Sequence, residues 1–438
     1  THDINRENPW PWLDPFNEGA AEFFNGRDDD AAALERHVLS GAANVLFGKS
    51  GLGKTSLLQA GLFPRLRRLR LLPVLVRLAH GDDAPAVLEQ IHARLVEECA
   101  AHGLAPPGDA GGPAASTDRV DALWLALHTP PLAARDADGS AWQPVFVLDQ
   151  FEEIFTLGAQ NAERQQRHFG SLGDLIENRI PAAVEAAIGA DEDLLDRLQL
   201  DAQPYRVILS LREDYLPDLE RWCDRIPRLG PNRYRLLPMR EKQALAATLQ
   251  TGGTLLNPDA AAHIVRFVAS QHDGVLTAND GALQRAPQIE PALLSLVCSG
   301  LNAARQASGA PQIDASNLEQ LGGRIIERFY DDALAGIAPE LAAFVENELI
   351  TPDGIRLTYP LKSIVQRPGI GRADLDTLID RRLLRKEAFV DGDRIEVVHD
   401  RLAAVALQRR LGREQAAAEQ LLREEAERAE ALFEEQRK

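Results

Sequence analysis

At 438 residues the chain exceeds what one hydrophobic core sustains, and roughly two to four domains are expected. Its 45% hydrophobic and 26% charged residues exclude disordered and fibrous classes, and no apolar run approaches the length of a membrane span. The 48 basic against 66 acidic residues leave a formal charge of −18, a surface that repels nucleic acid and anionic membrane unless a local basic patch intervenes.

The first residues, Thr1 to Asp14, lack the basic, apolar, small-residue order of a secretory signal, so a cytoplasmic location is the simplest expectation. Because the chain starts at Thr1 and ends inside a helical pattern, it is read as part of something longer. Asn8-Pro9-Trp10-Pro11-Trp12 through Asp14-Pro15-Phe16 is a proline-broken segment whose aromatics are expected to pack onto the following domain. A helix is predicted from about Asp28 to Leu39. Apolar strands then follow at Asn44–Phe47, Pro73–Leu78, Val145–Leu148 and Val207–Leu211. Between them lie amphipathic helices, as in Val87, Leu88, Ile91 and Leu95 at helical spacing. Continuous apolar strands separated by helices predict a parallel sheet covered on both faces. The Pro/Gly/Ala-rich Ala105–Ser116 and the acidic Ala190–Ala202 read as surface insertions.

From Arg240 to about Arg305 the period is helical with no convincing strand. A compact unit of helices follows, ending in a hairpin, with Asp391-Gly392 as the turn between Leu383–Val390 and Arg394–Val398; this order suggests a winged helix. The tail from Leu411 to Lys438 reads as a solvated linker helix. No solenoid-type internal repeat is present. The predicted architecture is thus an α/β P-loop, AAA-like nucleotide-binding domain (41–240) preceded by a segment packing on it (1–40). An α-helical bundle (241–320), a winged-helix domain (321–410) and the linker (411–438) complete it. Cys99, Cys223 and Cys298 lie too far apart in sequence for a zinc or redox motif and read as small buried hydrophobes.

Gly48-Lys49-Ser50-Gly51-Leu52-Gly53-Lys54-Thr55 fits G-x-x-x-x-G-K-[ST], follows an apolar strand and opens a helix at Ser56. Glycines let backbone N–H groups converge on phosphates, and the helix N-terminus adds positive potential. Lys54 is expected to bridge the β and γ phosphates of ATP, and Thr55 to ligate Mg²⁺. Gly48, Ser50, Gly51, Gly53 and Ser56 complete the candidate nucleotide contacts.

Phosphoryl chemistry also needs a magnesium carboxylate and a group that positions water. Asp149 closes the strand Pro144–Leu148 and is the candidate for Mg²⁺. Glu152 and Glu153 follow, either of which is a candidate base, or both simply start a helix where the dipole favours acids. Arg212 at the end of Val207–Leu211 would project from the same sheet edge and read the γ phosphate, or pair structurally with Glu213 or Asp214.

Together, Phe23-Phe24-Asn25-Gly26-Arg27, the P-loop running into Ala60-Gly61-Leu62-Phe63-Pro64, Asp149-Gln150-Phe151-Glu152-Glu153 and Leu211-Arg212-Glu213-Asp214-Tyr215-Leu216 resemble bacterial STAND NTPases, closest to the novel STAND group. The likeness extends from about Asn8 to about Arg410. It implies a switch similar to apoptosome and NLR proteins, monomeric and closed with ADP and opening on ATP exchange to form a homo-oligomer. On that resemblance Gly26 and Arg27 lie near the adenine or ribose. Pro291, at home at the first turn of any helix, packs on the base. His399 of Val397-Val398-His399-Asp400 resembles the MHD-type histidine at the β phosphate of ADP; a histidine after a strand also serves structural roles. Many members carry a second acid directly after the magnesium aspartate, where this chain has Gln150, so slow ATP hydrolysis is expected. The sensed trigger and the effector are unassigned, and family analogy alone points to antiphage defence.

The rival expectation is an ATP-dependent DNA-binding regulator or loader, because winged helices read grooves and Arg381, Arg382, Arg385 and Lys386 cluster beside the hairpin. The acidic total argues against nucleic acid as a partner. A third reading, an independently working motor, predicts robust turnover by the isolated chain.

Overall fold

The computed structural model describes residues 4–79, 84–108, 121–156, 162–270, 288–316, 318–352, 354, 356–389, 392–398 and 400–436. Two compact units divide the chain, one covering Thr1–Leu318 with Phe389–Asp391, the other Glu319–Ala388 with Gly392–Lys438.

The first unit is built on a parallel sheet. Its strands are β1 (Ala43–Gly48), β2 (Leu71–Val76), β4 (Ala141–Leu148), β5 (Arg206–Arg212) and β6 (Arg233–Arg235), in the order β2-β4-β5-β1-β6. The short β3 (Ala134–Arg135) adds antiparallel to β4. Both faces are buried, and residues alternate between two cores. Phe146 and Leu148 point into one with Val74, Val76 and Leu209; Val145 and Val147 point into the other with Leu46, Leu57 and Ile208. That burial explains the continuous apolar strands. Pro73 is tolerated because β2 is an edge strand, where a missing N–H costs no ladder bond. The strand predicted at Pro73–Leu78 ends at Val76, so Arg77 lies past the sheet edge. Arg212 is the last residue of β5 rather than the first after it. β6 was missed because three residues rich in arginine carry no apolar run.

Helices α1 (Asp28–Ser40), α2 (Lys54–Ser56), α3 (Phe63–Arg68), α4 (Val87–Ala101), α5 (Ala122–His128), α6 (Glu153–Thr156), α7 (Ala162–Glu177), α8 (Ala182–Ala190), α9 (Glu192–Arg197) and α10 (Leu216–Glu220) accompany the sheet; a π-helical stretch, Leu57–Leu62, joins α2 to α3. The acidic stretch Ala190–Ala202 departs from the expected insertion. It contains α9, whose Leu194 joins Leu198, Val184, Trp124 and Leu125 in a small core. Of Ala105–Ser116, residues 109–116 lie outside the described ones. Cys99 and Cys298 are buried, and Cys223 is half-buried with its thiol 3.3 Å from Arg233 Nη2.

Helices α11 (Glu241–Gly252), α12 (Pro258–Ser270) and α13 (Pro291–Ser308) close the unit. The proline-broken opening segment runs along α13. Asn302 Nδ2 donates to the Glu7 carbonyl at 2.7 Å, Ser299 Oγ donates to the Trp10 carbonyl at 3.2 Å and accepts from the Trp12 N–H at 3.1 Å. The Trp10 ring lies so close over Gly252 that a Cβ there would sit 3.0 Å from it. Further along, Phe16 N–H donates to Ser56 Oγ at 3.2 Å and its ring meets Phe24 at 5.7 Å. One strap therefore touches both the helical region and the start of the phosphate-loop helix.

The second unit has α14 (Leu318–Leu334), α15 (Pro339–Glu348), β7 (Tyr359–Pro360), α16 (Leu361–Val365), α17 (Arg372–Asp380), β8 (Leu384–Phe389), β9 (Gly392–Val397) and α18 (Asp400–Gln436). Its strands order as β7-β9-β8, with β7 antiparallel to β9. Gly392 opens β9 instead of sitting in the turn, and Val390 and Asp391 lie outside the described residues. α18 absorbs the predicted linker into one 37-residue helix, with Leu411 and Leu422 exposed. None of the described helices is long and apolar enough to cross a membrane.

Trp10 is 6% exposed. Replacing it by Ala is expected to cost about 3 kcal/mol or more, read as a lowered denaturant midpoint for the first unit; an unchanged midpoint would show that the strap contributes nothing.

Candidate functional site

The phosphate loop leaves β1 at Gly48 and re-enters helix at Lys54. Gly51 and Gly53 hold φ values of 78° and 83°, a left-handed backbone that an L side chain enters only at a cost of about 1–2 kcal/mol. Gly53 caps α2 and accepts the Leu57 N–H at 2.8 Å. The Lys54 ammonium crosses the loop, donating to the Gly48 carbonyl at 2.9 Å and the Lys49 carbonyl at 3.2 Å. Burial lowers its pKa, opposed by the nearby charges of Glu152 and Asp149. Ser50 stands exposed on the loop, whereas the Ser56 hydroxyl is turned away to Phe16.

Asp149 meets this loop from β4. Its backbone N–H bonds to the Val76 carbonyl at 3.0 Å. The residue is buried, and its carboxylate accepts from Thr55 Oγ1 at Oδ2 and from Ser210 Oγ at Oδ1, both at 2.9 Å. Arg77 Nη2 stands 3.5 Å from Oδ2. Gln150 then adopts a left-handed φ of 58°, which tightens the turn so that Phe151 N–H reaches the Ser210 carbonyl at 2.8 Å. The Phe151 ring buries against Phe155 and Phe169 at 5.9 and 6.0 Å. That anchor sets Glu152 over the sheet edge, where its Oε2 accepts the Arg212 N–H at 3.3 Å. Desolvation raises the pKa of Glu152. Glu153 instead opens α6, in the position where the helix dipole favours an acid.

Lys54, Thr55, Asp149, Glu152 and Arg212 are thus brought together at the carboxyl ends of β1, β4 and β5, where open α/β sheets bind ligands. Arg212 stands opposite Gly48 in the sheet register, and its guanidinium pairs with Asp214 at 2.8 Å. Glu213 pairs with Arg235 at 3.0 Å. Arg27, 3% exposed, is committed to protein partners: Asp30 at 2.9 Å and the Leu52 carbonyl of the phosphate loop at 3.4 Å. Asp30 in turn accepts from Tyr234 Oη at 2.6 Å and Gln243 Nε2 at 3.2 Å. This network braces the loop from behind. Gly26 has a φ of 81°, and a Cβ there would lie 2.3 Å from the Gln243 carbonyl of α11. Pro291 occupies the first turn of α13, just after Ile289 pairs with Met239 at 2.9 and 3.0 Å. His399 lies outside the described residues.

Thr55 and Asp149 present two hard oxygens side by side, a donor set that fits Mg²⁺ completed by phosphates and water. Among the described residues no cluster of three or more His, Cys, Asp or Glu forms an all-protein metal cage. Sequence reading missed Arg77, Ser210 and the Asp30 hub. Arg77 and Ser210 lie in apolar stretches whose pattern signals strands and carries no mark of polar chemistry. Asp30 sits among helix-opening acids, and only the fold gives it Tyr234 and Gln243.

A glycine-rich loop between strand and helix, an arginine at the end of the adjacent strand β5 and an acid at the end of β4, one strand further out rather than next to the loop strand, define a P-loop NTPase on a parallel α/β sheet. The chain belongs to the family Novel STAND NTPase 1, which it matches over residues 9–438. No curated protein matches the sequence. Among solved structures it is similar to Cdc6p from Pyrobaculum aerophilum at 14% identity and a TM-score of 0.40, over 92% of this chain and 97% of that one. The Aeropyrum pernix ORC1 protein in complex with DNA gives 12% and 0.43, over 92% and 96%. The Aeropyrum pernix ORC2 protein in ADPNP-ADP complexes gives 14% and 0.41, over 87% and 92%. Likenesses of this size say nothing about substrate or partner.

Gly26 and Gly51 separate backbone strain from collision. Gly51→Ala, with nothing within 4 Å of the new methyl, should lose about 1–2 kcal/mol of stability. Gly26→Ala should lose that plus about 1–3 kcal/mol for the clash with Gln243. Equal urea midpoints for the two variants would refute the close approach.

Proposed function

We propose that the chain is the ATP/ADP-binding switch of a STAND NTPase, closed and monomeric with ADP and opening on ATP exchange to oligomerise and activate an effector. The observation that carries this reading is the convergence of Lys54, Thr55, Asp149 and Glu152 on one sheet edge, in a chain of this family. Lys54 and the loop N–H groups would hold the phosphates, and Thr55 and Asp149 would hold Mg²⁺. When bound, that ion supplies charge neutralisation at the phosphates. Glu152, desolvated and tethered to Arg212 N–H, is the better placed of the two glutamates to take a proton from water. Glu153 is spent on the helix start.

Several features favour a slow timer over a motor. Gln150 stands where many relatives carry a second acid, and the Arg212 guanidinium is engaged with Asp214. The second unit, in which two helices, a short strand, two helices, a hairpin and a long helix follow one another, is best read as a winged helix with His399 as the latch on ADP; Pro291 of α13 would be the base contact. Defence against phage is the setting that family analogy suggests.

The DNA-binding alternative is less well supported. Arg385 pairs with Glu396, Lys386 with Asp393 at 3.4 Å, and Arg381 donates to the carbonyls of Ala333 and Ala335. Two of the four cations that suggested groove reading are thus paired with acids of their own unit, and Arg381 is held against backbone carbonyls. A salt-sensitive gel shift on duplex DNA would restore that reading.

Denaturing the purified protein should release ADP, identified by chromatography. Lys54→Ala should weaken ADP binding at least about tenfold, the worth of one charge-assisted contact, and calorimetry showing unchanged affinity would refute the phosphate role. His399→Ala should lose ADP faster and shift the population toward larger assemblies by light scattering; equal retention and size would remove the latch.

A further inference from the structure

Asp149 is buried, its side chain 2% exposed, and a carboxylate at that depth is costly unless it is paired and hydrogen-bonded. Neutral hydroxyls serve both of its oxygens, Ser210 Oγ at Oδ1 and Thr55 Oγ1 at Oδ2, each at 2.9 Å. A full positive charge arrives from Arg77, whose Nη2 stands 3.5 Å from Oδ2, the same oxygen that Thr55 contacts. The two partners of this pair differ in freedom. Asp149 is fixed at the end of β4, with its side chain 2% exposed, whereas the Arg77 side chain is 52% exposed and sits one residue beyond the end of edge strand β2. An arm of that kind can leave without unpacking the core, because half of it already stands in solvent.

We propose that Arg77 is a resident substitute for the divalent cation. It neutralises Asp149 at the Thr55-facing oxygen while no metal is bound, and it yields that oxygen when Mg²⁺ enters with nucleotide. This rests on the nucleotide-binding reading above and adds a consequence to it. Without Arg77, phosphates entering the loop in the absence of metal would face a carboxylate that has lost its ion-pair partner, with the hydroxyls of Thr55 and Ser210 and the nearby Lys54 left to offset it. With it, they meet a neutralised one, and the site holds ADP with weak dependence on Mg²⁺. Arg77 acts through Asp149 and is therefore a positioning residue.

The test measures ADP dissociation constants by calorimetry in excess Mg²⁺ and in EDTA, and takes their ratio. Arg77→Gln should raise the EDTA-to-Mg²⁺ ratio about two- to fivefold, the range of an ion pair whose cation remains half in solvent. Arg77→Lys, which keeps the charge, should hold it near the wild-type value. In an Asp149→Asn background Arg77→Gln should change nothing, since the partner charge is gone. An unchanged ratio in Arg77→Gln overturns the proposal. So does an equal loss of affinity in both conditions, which is the mark of a direct phosphate contact. If ADP binds and only the ratio is unmoved, the role of Arg77 falls alone. If the wild type binds ADP in neither condition, the nucleotide reading falls with it. Matching thermal melts of wild type and Arg77→Gln show that folding is not what changed.

Discussion

Asp149 is the constraint on which the site depends. A carboxylate this deeply buried is stable only where donors converge on it, and here they come from the phosphate-loop helix through Thr55, from β5 through Ser210, and from the end of β2 through Arg77. The parallel register makes this meeting possible. Leu148 stands opposite Leu209, and Gly48 opposite Arg212, so the acid, the hydroxyl and the loop reach the same level of the sheet. A slip of one residue in β4 would send Asp149 to the opposite face and bury it among aliphatic side chains.

The turn after β4 converts that placement into chemistry. Gln150 accepts a left-handed backbone, Phe151 drives into the core with Phe155 and Phe169, and Glu152 is left at the edge against the Arg212 N–H. The aromatic ring thereby decides which of two adjacent glutamates faces the loop. Behind the loop, Asp30 gathers Arg27, Tyr234 and Gln243, so α1, β6 and α11 are tied to the backbone that would hold the phosphates. The N-terminal strap reaches both α13 and Ser56. Movement of the helical region would therefore be felt at the start of the phosphate-loop helix.

Much of the fold was legible because its signals are local or periodic. Unbroken apolar runs bounded by helical spacing describe strands buried on both faces, and the two alternating cores around Phe146 and Val147 show why neither face is polar. The loop motif was legible because each of its positions serves backbone conformation or charge. Less legible were β6, whose Arg233–Arg235 bears no hydrophobic pattern, and α9, whose acidic surroundings hid Leu194 and Leu198.

What the sequence determined by itself was the presence of a phosphate loop on a parallel sheet, an acid at the end of another of its strands and the family to which these belong. Those are properties of residues adjacent in the chain, where strand, turn and helix chemistry act over a few positions. Only the tertiary structure decided that Arg77 and Ser210 share Asp149, that Glu152 rather than Glu153 turns to the edge, and that Arg27 spends its charge on Asp30 and Leu52. The burial of Phe151 settles the choice between the glutamates; the outcomes at Asp149 and Arg27 depend on the cost of burying a charge. At Asp149 that cost is met by partners distant in sequence, which arrive only when the strands align.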